Sequence, residues 1–372
     1  MNIQTAVHQL LSICQGIISG EPFSIEEADL ETLYSIAYRH GLDGFLYYSL
    51  FDAGLDADAS SAFAQAHARL RHRIVTNERE NLRLSRLLDS EQIPVMRLSD
   101  HQACCGEHPL RPQSAEYLFV APENADRLSE LLLANGFQRI ENGQSSCRYL
   151  CPPYFFVETV CAPRERSQDT EIDYFAAWNR AMPSDGFRFV SEMLLTDSYV
   201  FLLSVLYRNL AKHGVSLADV LDVAHLRRCI VAQSDESTLR QVLAATSFVA
   251  LEDVLLSLYR AWIENEKLSP SMQLLSDLML ARGAYADFNA YLCEGAKHKG
   301  VLSYALLPYS EMRVGHPFCR SVFLYPIALM LRLLALARRR TAKEPACPPL
   351  NDYALTPEQG RALWRSVGVS LP

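Results

Sequence analysis

The apolar residues of the first ninety positions recur every three or four residues, a period that predicts helices. In residues 5–20 (TAVHQLLSICQGIISG) they fall on one stripe. A second helix is predicted over residues 24–41, since it opens on an S-x-x-E capping box and closes on a glycine. A long helix is predicted over 58–91, where Arg and Glu stand three and four residues apart without an internal Gly or Pro.

The period then changes, and short apolar runs bounded by turn residues predict strands at 93–98 (IPVMRL) and 115–120 (AEYLFV). An amphipathic helix with an acidic first turn follows at 123–137. Residues 147–160 are predicted to form two paired strands around a Pro-Pro turn. These elements indicate a compact core of strands and one helix.

After a predicted polar loop from 161 to 190, residues 191–291 return to a helical pattern. The expected fold is α+β, with a small mixed sheet flanked by helices. The expected division is an N-terminal helical region at 1–91, an α/β core at 92–190, a C-terminal helical domain at 191–345 and a tail at 346–372.

Composition restricts the function more than the fold. The chain has 372 residues, 35 basic and 43 acidic, and a formal net charge of −8, so an electrostatic grip on nucleic acid is disfavoured. A small molecule, a nucleotide or a protein is the expected partner. Ten cysteines without a basic segment ahead of the first apolar residues indicate free thiols and a cytoplasmic location.

The strand at 115–120 contains a single acid, Glu116, between Ala115 and Tyr117. Two acids spaced one residue apart on a strand would share a face and could hold a metal ion between them. Ala115 and Tyr117 provide no such pair.

Several segments stand in the order found in one known family. They are YRHGLDGFLYYSL (38–50), Asn77, QIPVMRLSD (92–100), LRP with AEYLFV (110–120), LLLANGF (131–137), VET (157–159), NLAKHGVSLADVLDVAHLRR (209–228) and LLPYSEMRVGHP (306–317). In this order the chain resembles the uncharacterised nucleotidyltransferases of the DNA polymerase beta superfamily, a bacterial group. The resemblance implies N-terminal helices, a minimal nucleotidyltransferase sheet and a helical C-terminal half.

The resemblance also implies where a catalytic site would lie. The family's two metal-binding acids fall on Ala115 and Tyr117, and its Lys-Gly phosphate turn falls on Ser99 and Asp100. The third acid is retained as Glu158, although the histidine that commonly follows it is absent. Nucleotidyl transfer needs one or two Mg²⁺ ions, which carboxylates hold. We therefore expect a degenerate site with no certain cofactor and a protein that acts by binding.

Two alternatives remain. An active Mg²⁺-dependent transferase could hold its metal with Glu158, Glu116 and Asp100 and move a nucleoside monophosphate to a small molecule or protein. A scaffold or membrane-peripheral protein could use the apolar segment 322–340, which ends in three arginines. That segment is too interrupted to predict a membrane span.

Other clusters have a plain structural interpretation beside the functional one. His101, Cys104, Cys105 and His108 have zinc-ligand types at an unusual spacing, and an ordinary loop is the expected state. Three cysteines on or beside the predicted strands are expected to pack as small apolar groups: Cys147, Cys151 and Cys161. The residues His213, Asp219, Asp222 and His225 surround one helix junction and are expected to be scaffold rather than a pocket lining.

Overall fold

The computed structural model describes residues 3–19, 30–47, 50, 61–98, 104–105, 108–109, 115–142, 146–161, 164–167, 170–210, 214–233, 236–246, 248–283, 326, 329–330 and 357–370. Its first three helices are α1 (Ile3–Ser19), α2 (Leu30–Arg39) and α3 (Ser61–Ser90). These match the three predicted N-terminal helices. The proposed capping box at the start of the second one lies outside the described residues.

The centre of the chain forms one open seven-stranded mixed sheet. Its strands, in spatial order, are β10 (Met182–Pro183), β11 (Val190–Glu192), β1 (Val95–Arg97), β4 (Glu116–Val120), β7 (Phe155–Val160), β6 (Ser146–Cys151) and β5 (Gln138–Asn142). Strands β1 and β11 run parallel, as do β4 and β7, and the other pairs are antiparallel. The predicted α+β class is confirmed.

The sheet is larger than the sequence pattern indicates. Residues 161–190, predicted as a polar loop, contain β8 (Arg164–Ser167), β9 (Thr170–Asp173), helix α5 (Tyr174–Trp178) and β10. Strand β11 crosses the predicted boundary at 191. These strands have two to four residues, too few to show an alternating pattern, and their pairing with distant strands defines them.

The two faces of the sheet belong to different cores. The back face, defined by Glu116, Leu118 and Val157, is covered by Leu84 and Leu88 of α3 and by helix α4 (Ala125–Ala134). The front face, defined by Tyr117, Phe119 and Glu158, is on the opposite side, because successive strand residues alternate. On the front face, helix α5 packs over Phe119 and Phe201 packs on Tyr117.

The helices that follow the sheet are α6 (Leu195–Leu210), α7 (Leu217–Ala232), α8 (Glu236–Ala244), α9 (Val249–Ile263), α10 (Pro270–Arg282) and α11 (Pro357–Ser366). They share one apolar core with α1 and α2. Gln15 of α1 donates from Nε2 to the carbonyl oxygen of Trp262 at 2.7 Å. The N-terminal helices are therefore packed directly on the C-terminal ones.

A buried histidine fixes the meeting point of α2, α7 and α10. His40 Nε2 lies 2.9 Å from the carbonyl oxygen of Leu280, and His40 Nδ1 accepts from the backbone N–H of Leu217 at 3.0 Å. Because a carbonyl only accepts, Nε2 carries the proton and the ring is neutral. Burial lowers the pKa of His40 to about 4.

Among the described residues, no helix combines the length and the apolar character that a membrane span requires. Of segment 322–340, only residues 326 and 329–330 are described. The structure therefore leaves a membrane contact through this segment as a prediction.

Candidate functional site

The residues of β4 alternate between the two faces of the sheet, and this alternation determines which of them lie beside Glu158. In the parallel pairing of β4 with β7, Tyr117 lies beside Glu158 and Glu116 lies beside Val157. Side chains paired in this way point to the same side of the sheet. Tyr117 and Glu158 therefore share the front face, and Glu116 points to the back face.

Glu116 has a specific partner on the back face. Its carboxylate is 6% exposed and lies 3.0 Å from Arg97 Nε on the neighbouring strand β1. Arg97 also donates to Ser85 Oγ at 2.7 Å and to the carbonyl oxygen of Asn81 at 3.2 Å, both on α3. The acid and its arginine thus tie the sheet to α3, and the charge of Glu116 is compensated where it is buried.

The front-face positions of the expected acidic pair are packed rather than open. Ala115 is 3% exposed. The Tyr117 ring meets the Phe201 ring of α6 edge to face, with centroids 5.3 Å apart, and Phe201 is fully buried. An aromatic contact therefore occupies the place where the resemblance predicts the second metal-binding acid.

Further aromatic rings extend this packing along β4. Phe119 stacks on Tyr174 at 5.2 Å and makes edge contacts with Phe175 at 5.4 Å and Trp178 at 5.3 Å. All three partners lie on α5. We call the rings of Tyr117, Phe119, Tyr174, Phe175, Trp178 and Phe201 the aromatic cluster. Mg²⁺ is held in proteins mainly by carboxylate oxygens and water, and the aromatic cluster contributes no carboxylate.

Glu158, the retained acid, is half-buried on the front face. Its neighbours across the ladders are Tyr117 on β4 and Arg148 on β6. The Arg148 guanidinium lies over the Phe156 ring, 5.0 Å from its centroid. Directly opposed residues on antiparallel strands have Cβ atoms about 5 Å apart, so a cation rather than a further acid stands beside Glu158 on the β6 side.

Two of the three acids that the active-transferase alternative needs, Glu116 and Glu158, are not brought together. Glu116 and Glu158 lie on opposite faces of the sheet, so they cannot bind one ion together. Ser99 and Asp100, the positions of the phosphate turn, lie outside the described residues. Among the side chains that the structure describes, no cluster of three His, Cys, Asp or Glu residues forms a metal site.

The remaining sequence candidates have structural roles or fall outside the described part. His101 is not described, and Cys104, Cys105 and His108 are described only as the backbone of a small ladder, β2 (Cys104–Cys105) with β3 (His108–Pro109). The predicted apolar role of Cys147, Cys151 and Cys161 is confirmed, since all three pack against the back-face core. Every cysteine with a described side chain is a free thiol.

The helix junction near α7 is also structural. Asp219 accepts from the backbone N–H and the hydroxyl of Ser216, both at 2.8 Å, and completes a capping box at the start of α7. Asp222 is buried, and His225 Nε2 lies 3.6 Å from the Cys229 sulfur. Burial lowers the pKa of His225. His213 lies outside the described residues.

The sequence did not single out Arg97, Arg148 or Phe201, although each decides the character of the site. Arg97 and Arg148 stand on predicted strands, so an alternating pattern could have assigned their faces. Only the strand order brings them next to Glu116 and Glu158. Phe201 lies in a helix whose residues are apolar on most sides, and no local signal distinguishes it.

Comparison with known proteins gives one match. Residues 26–264 match the family described as uncharacterised nucleotidyltransferase. No curated protein and no solved structure matched the chain. The matched range holds α2 to α9 and the complete seven-stranded sheet. Since the match covers more than half of the chain, the protein belongs to the uncharacterised nucleotidyltransferase family.

Proposed function

We propose that this protein keeps the nucleotidyltransferase fold without the transfer chemistry, and that it acts by binding a nucleotide, a small molecule or a protein partner. The observation that carries the proposal is the packing of Tyr117 on Phe201, at the position where the resemblance predicts a metal-binding acid. Nucleotidyl transfer builds negative charge around the α-phosphate, and metal ions held by carboxylates stabilise it. Tyr117 and the buried Ala115 have no charge to offer such an ion.

The surroundings of Glu158 support the same proposal. The residue that faces Glu158 on β6 is the cation Arg148, whereas a metal ion would need a second acid nearby. If Mg²⁺ were used, Glu158 would be the only front-face acid of β4 and β7 to hold it. Glu116 is already engaged by Arg97 on the back face.

We place the protein in the bacterial cytoplasm as part of this proposal. The resemblance to a bacterial family supports the bacterial source, and the free thiols support a reducing compartment. The net charge of −8 favours a small molecule or protein over nucleic acid.

Pyrophosphate release tests the proposal. The full-length protein is incubated with each ribonucleoside triphosphate and Mg²⁺ or Mn²⁺, beside Glu158→Ala and the control Glu123→Ala, an exposed acid outside the front face. We expect the same background release from all three proteins. Metal-dependent release that Glu158→Ala abolishes and Glu123→Ala retains would establish an active transferase instead.

A further inference from the structure

A groove of about 410 Å³ opens between α1, the end of α9 and α10. This volume falls in the range of small-molecule sites in proteins. The groove lies among the helices and shares no lining residue with the aromatic cluster or with Glu158. The groove is therefore separate from the front face of the sheet.

The floor of the groove is apolar and built from elements far apart in the chain. It is lined by Val7, Leu11, Ala261, Trp262, Leu268 and Leu280. Trp262 is 3% exposed, and its indole Nε1 donates to Ser276 Oγ at 2.7 Å. The Gln15 amide donates both to the carbonyl oxygen of Trp262 and, at 3.3 Å, to Asn265 Oδ1. These bonds join α1 to α9 and α9 to α10, so the walls are held in place without a ligand.

The rim of the groove carries acidic and neutral polar groups. Asp277 and Glu266 are its acids, His8 is its one basic side chain, and no Lys or Arg stands among the described residues that line it. Glu266 is paired with Arg260, whose Nε lies 3.4 Å from the carboxylate. Asp277 accepts from the neutral amide of Gln273 at 2.8 Å. Unlike Glu266, Asp277 therefore has no Lys or Arg partner among the described residues that line the groove.

We propose that this groove binds a small organic amine with an apolar body. The apolar part would lie on Leu11 and Trp262, and the ammonium group would donate to the Asp277 carboxylate. Charge complementarity favours a cation, since an anion would meet two acids, Asp277 and Glu266, and only His8 as a base. The apolar floor selects a ligand with a hydrocarbon or aromatic portion, because a small hydrated cation would leave that floor in contact with water.

Calorimetric titration with three probes of one shape tests this proposal: phenethylamine, phenethyl alcohol and phenylacetate. We expect saturable binding of the amine, weaker binding of the alcohol and none of the carboxylate. Asp277→Asn should weaken the amine about tenfold, the value of a hydrogen bond to a charged group, and leave the alcohol unchanged. Leu11→Trp, which fills the groove from a partly exposed position, should abolish both.

Asp253→Asn, an exposed acid on α9 outside the lining, is the matched control and should bind like the wild type. Circular dichroism of each variant separates a lost site from a lost fold. Equal affinity for all three probes, no saturable binding of the amine, or amine binding that Asp277→Asn leaves intact would each overturn the proposal.

Discussion

The guanidinium of Arg97 lies 3.0 Å from the carboxylate of Glu116 on the back face of the sheet. This pair explains why a strand of apolar residues retains an acid at its start. The ion pair links Glu116 on β4 to Arg97 on β1, and Arg97 in turn donates a hydrogen bond to Ser85 on α3. The active-transferase alternative would place Glu116 near a metal ion. In the structure Glu116 instead belongs to an ion pair on the back face of the sheet.

Removing one member of this ion pair should lower the free energy of unfolding far more than replacing both members. Arg97→Met leaves the Glu116 carboxylate buried without its cation, and we expect it to lower the free energy of unfolding by about 3–5 kcal/mol. Arg97→Met combined with Glu116→Gln should regain more than half of that loss. Urea unfolding of the single and double variants measures the coupling. A loss below about 1 kcal/mol in Arg97→Met would show that the pair does not hold the sheet.

An acid introduced at position 115, where the resemblance predicts a metal-binding acid, should destabilise the fold rather than create a metal site. Ala115→Asp would place a carboxylate at a position that is 3% exposed, and we expect a loss of about 3 kcal/mol or more. The control is Ala62→Asp, at an exposed position in the first turn of α3, where the helix dipole favours an acid. Thermal unfolding compares the two. Equal stability of both variants would mean that position 115 is open to water.

The stability of the protein should depend on pH through His40. Its pKa is about 4 in the folded protein and about 6.5 when exposed, so the unfolded chain binds the extra proton first. The contribution of His40 is complete above about pH 6.5 and falls as the pH drops towards 4, by about 3 kcal/mol in total. Urea unfolding at steps across this window measures the slope.

His40→Gln provides the comparison for that slope. We expect it to be less stable at neutral pH, because it disturbs the hydrogen bonds to Leu280 and Leu217, and to lose stability less steeply on acidification. If the wild type and His40→Gln fall in parallel between pH 6.5 and 4, His40 is not the group that titrates.

The glycine after α10 should be essential at the same junction. Gly283 has φ +65°, and a Cβ there would lie 2.4 Å from the carbonyl oxygen of Arg39. Gly283→Ala should therefore cost several kcal/mol, since backbone must move. Gly368→Ala is the matched control: its φ is +89° and nothing lies within 4 Å of the added Cβ, so only the cost of the left-handed conformation remains, about 1 kcal/mol. Similar melting temperatures for both variants would contradict this account.

Much of the fold was predictable because the longer elements carry their own periodicity. The alternation in β4 predicts that Glu116 faces away from Tyr117, and the strand pairing agrees. The order of family segments predicted a nucleotidyltransferase sheet, which the family match supports. Strand β11 was missed because its three residues acquire their conformation from pairing with β1.

The sequence predicted which positions belong to the candidate site, but it did not predict the side-chain contacts made there. The sequence identified Ala115, Tyr117 and Glu158 as the positions to inspect. It could not show that Tyr117 packs on Phe201 or that Arg148 stands opposite Glu158. Such contacts depend on the order of the strands in the sheet and on how the helices pack against it. Neither can be read from a single sequence.

Binding of Mn²⁺ to the front face tests the central claim most directly, because it requires no knowledge of an acceptor substrate. Electron paramagnetic resonance counts free Mn²⁺ in the presence of α,β-methylene ATP and of wild-type protein, Glu158→Ala or Glu123→Ala. We expect all three proteins to leave the same amount of Mn²⁺ free as the nucleotide alone, or to differ from it equally. An additional Mn²⁺ site that is present in the wild type and in Glu123→Ala, and lost in Glu158→Ala, would contradict the loss of the metal centre.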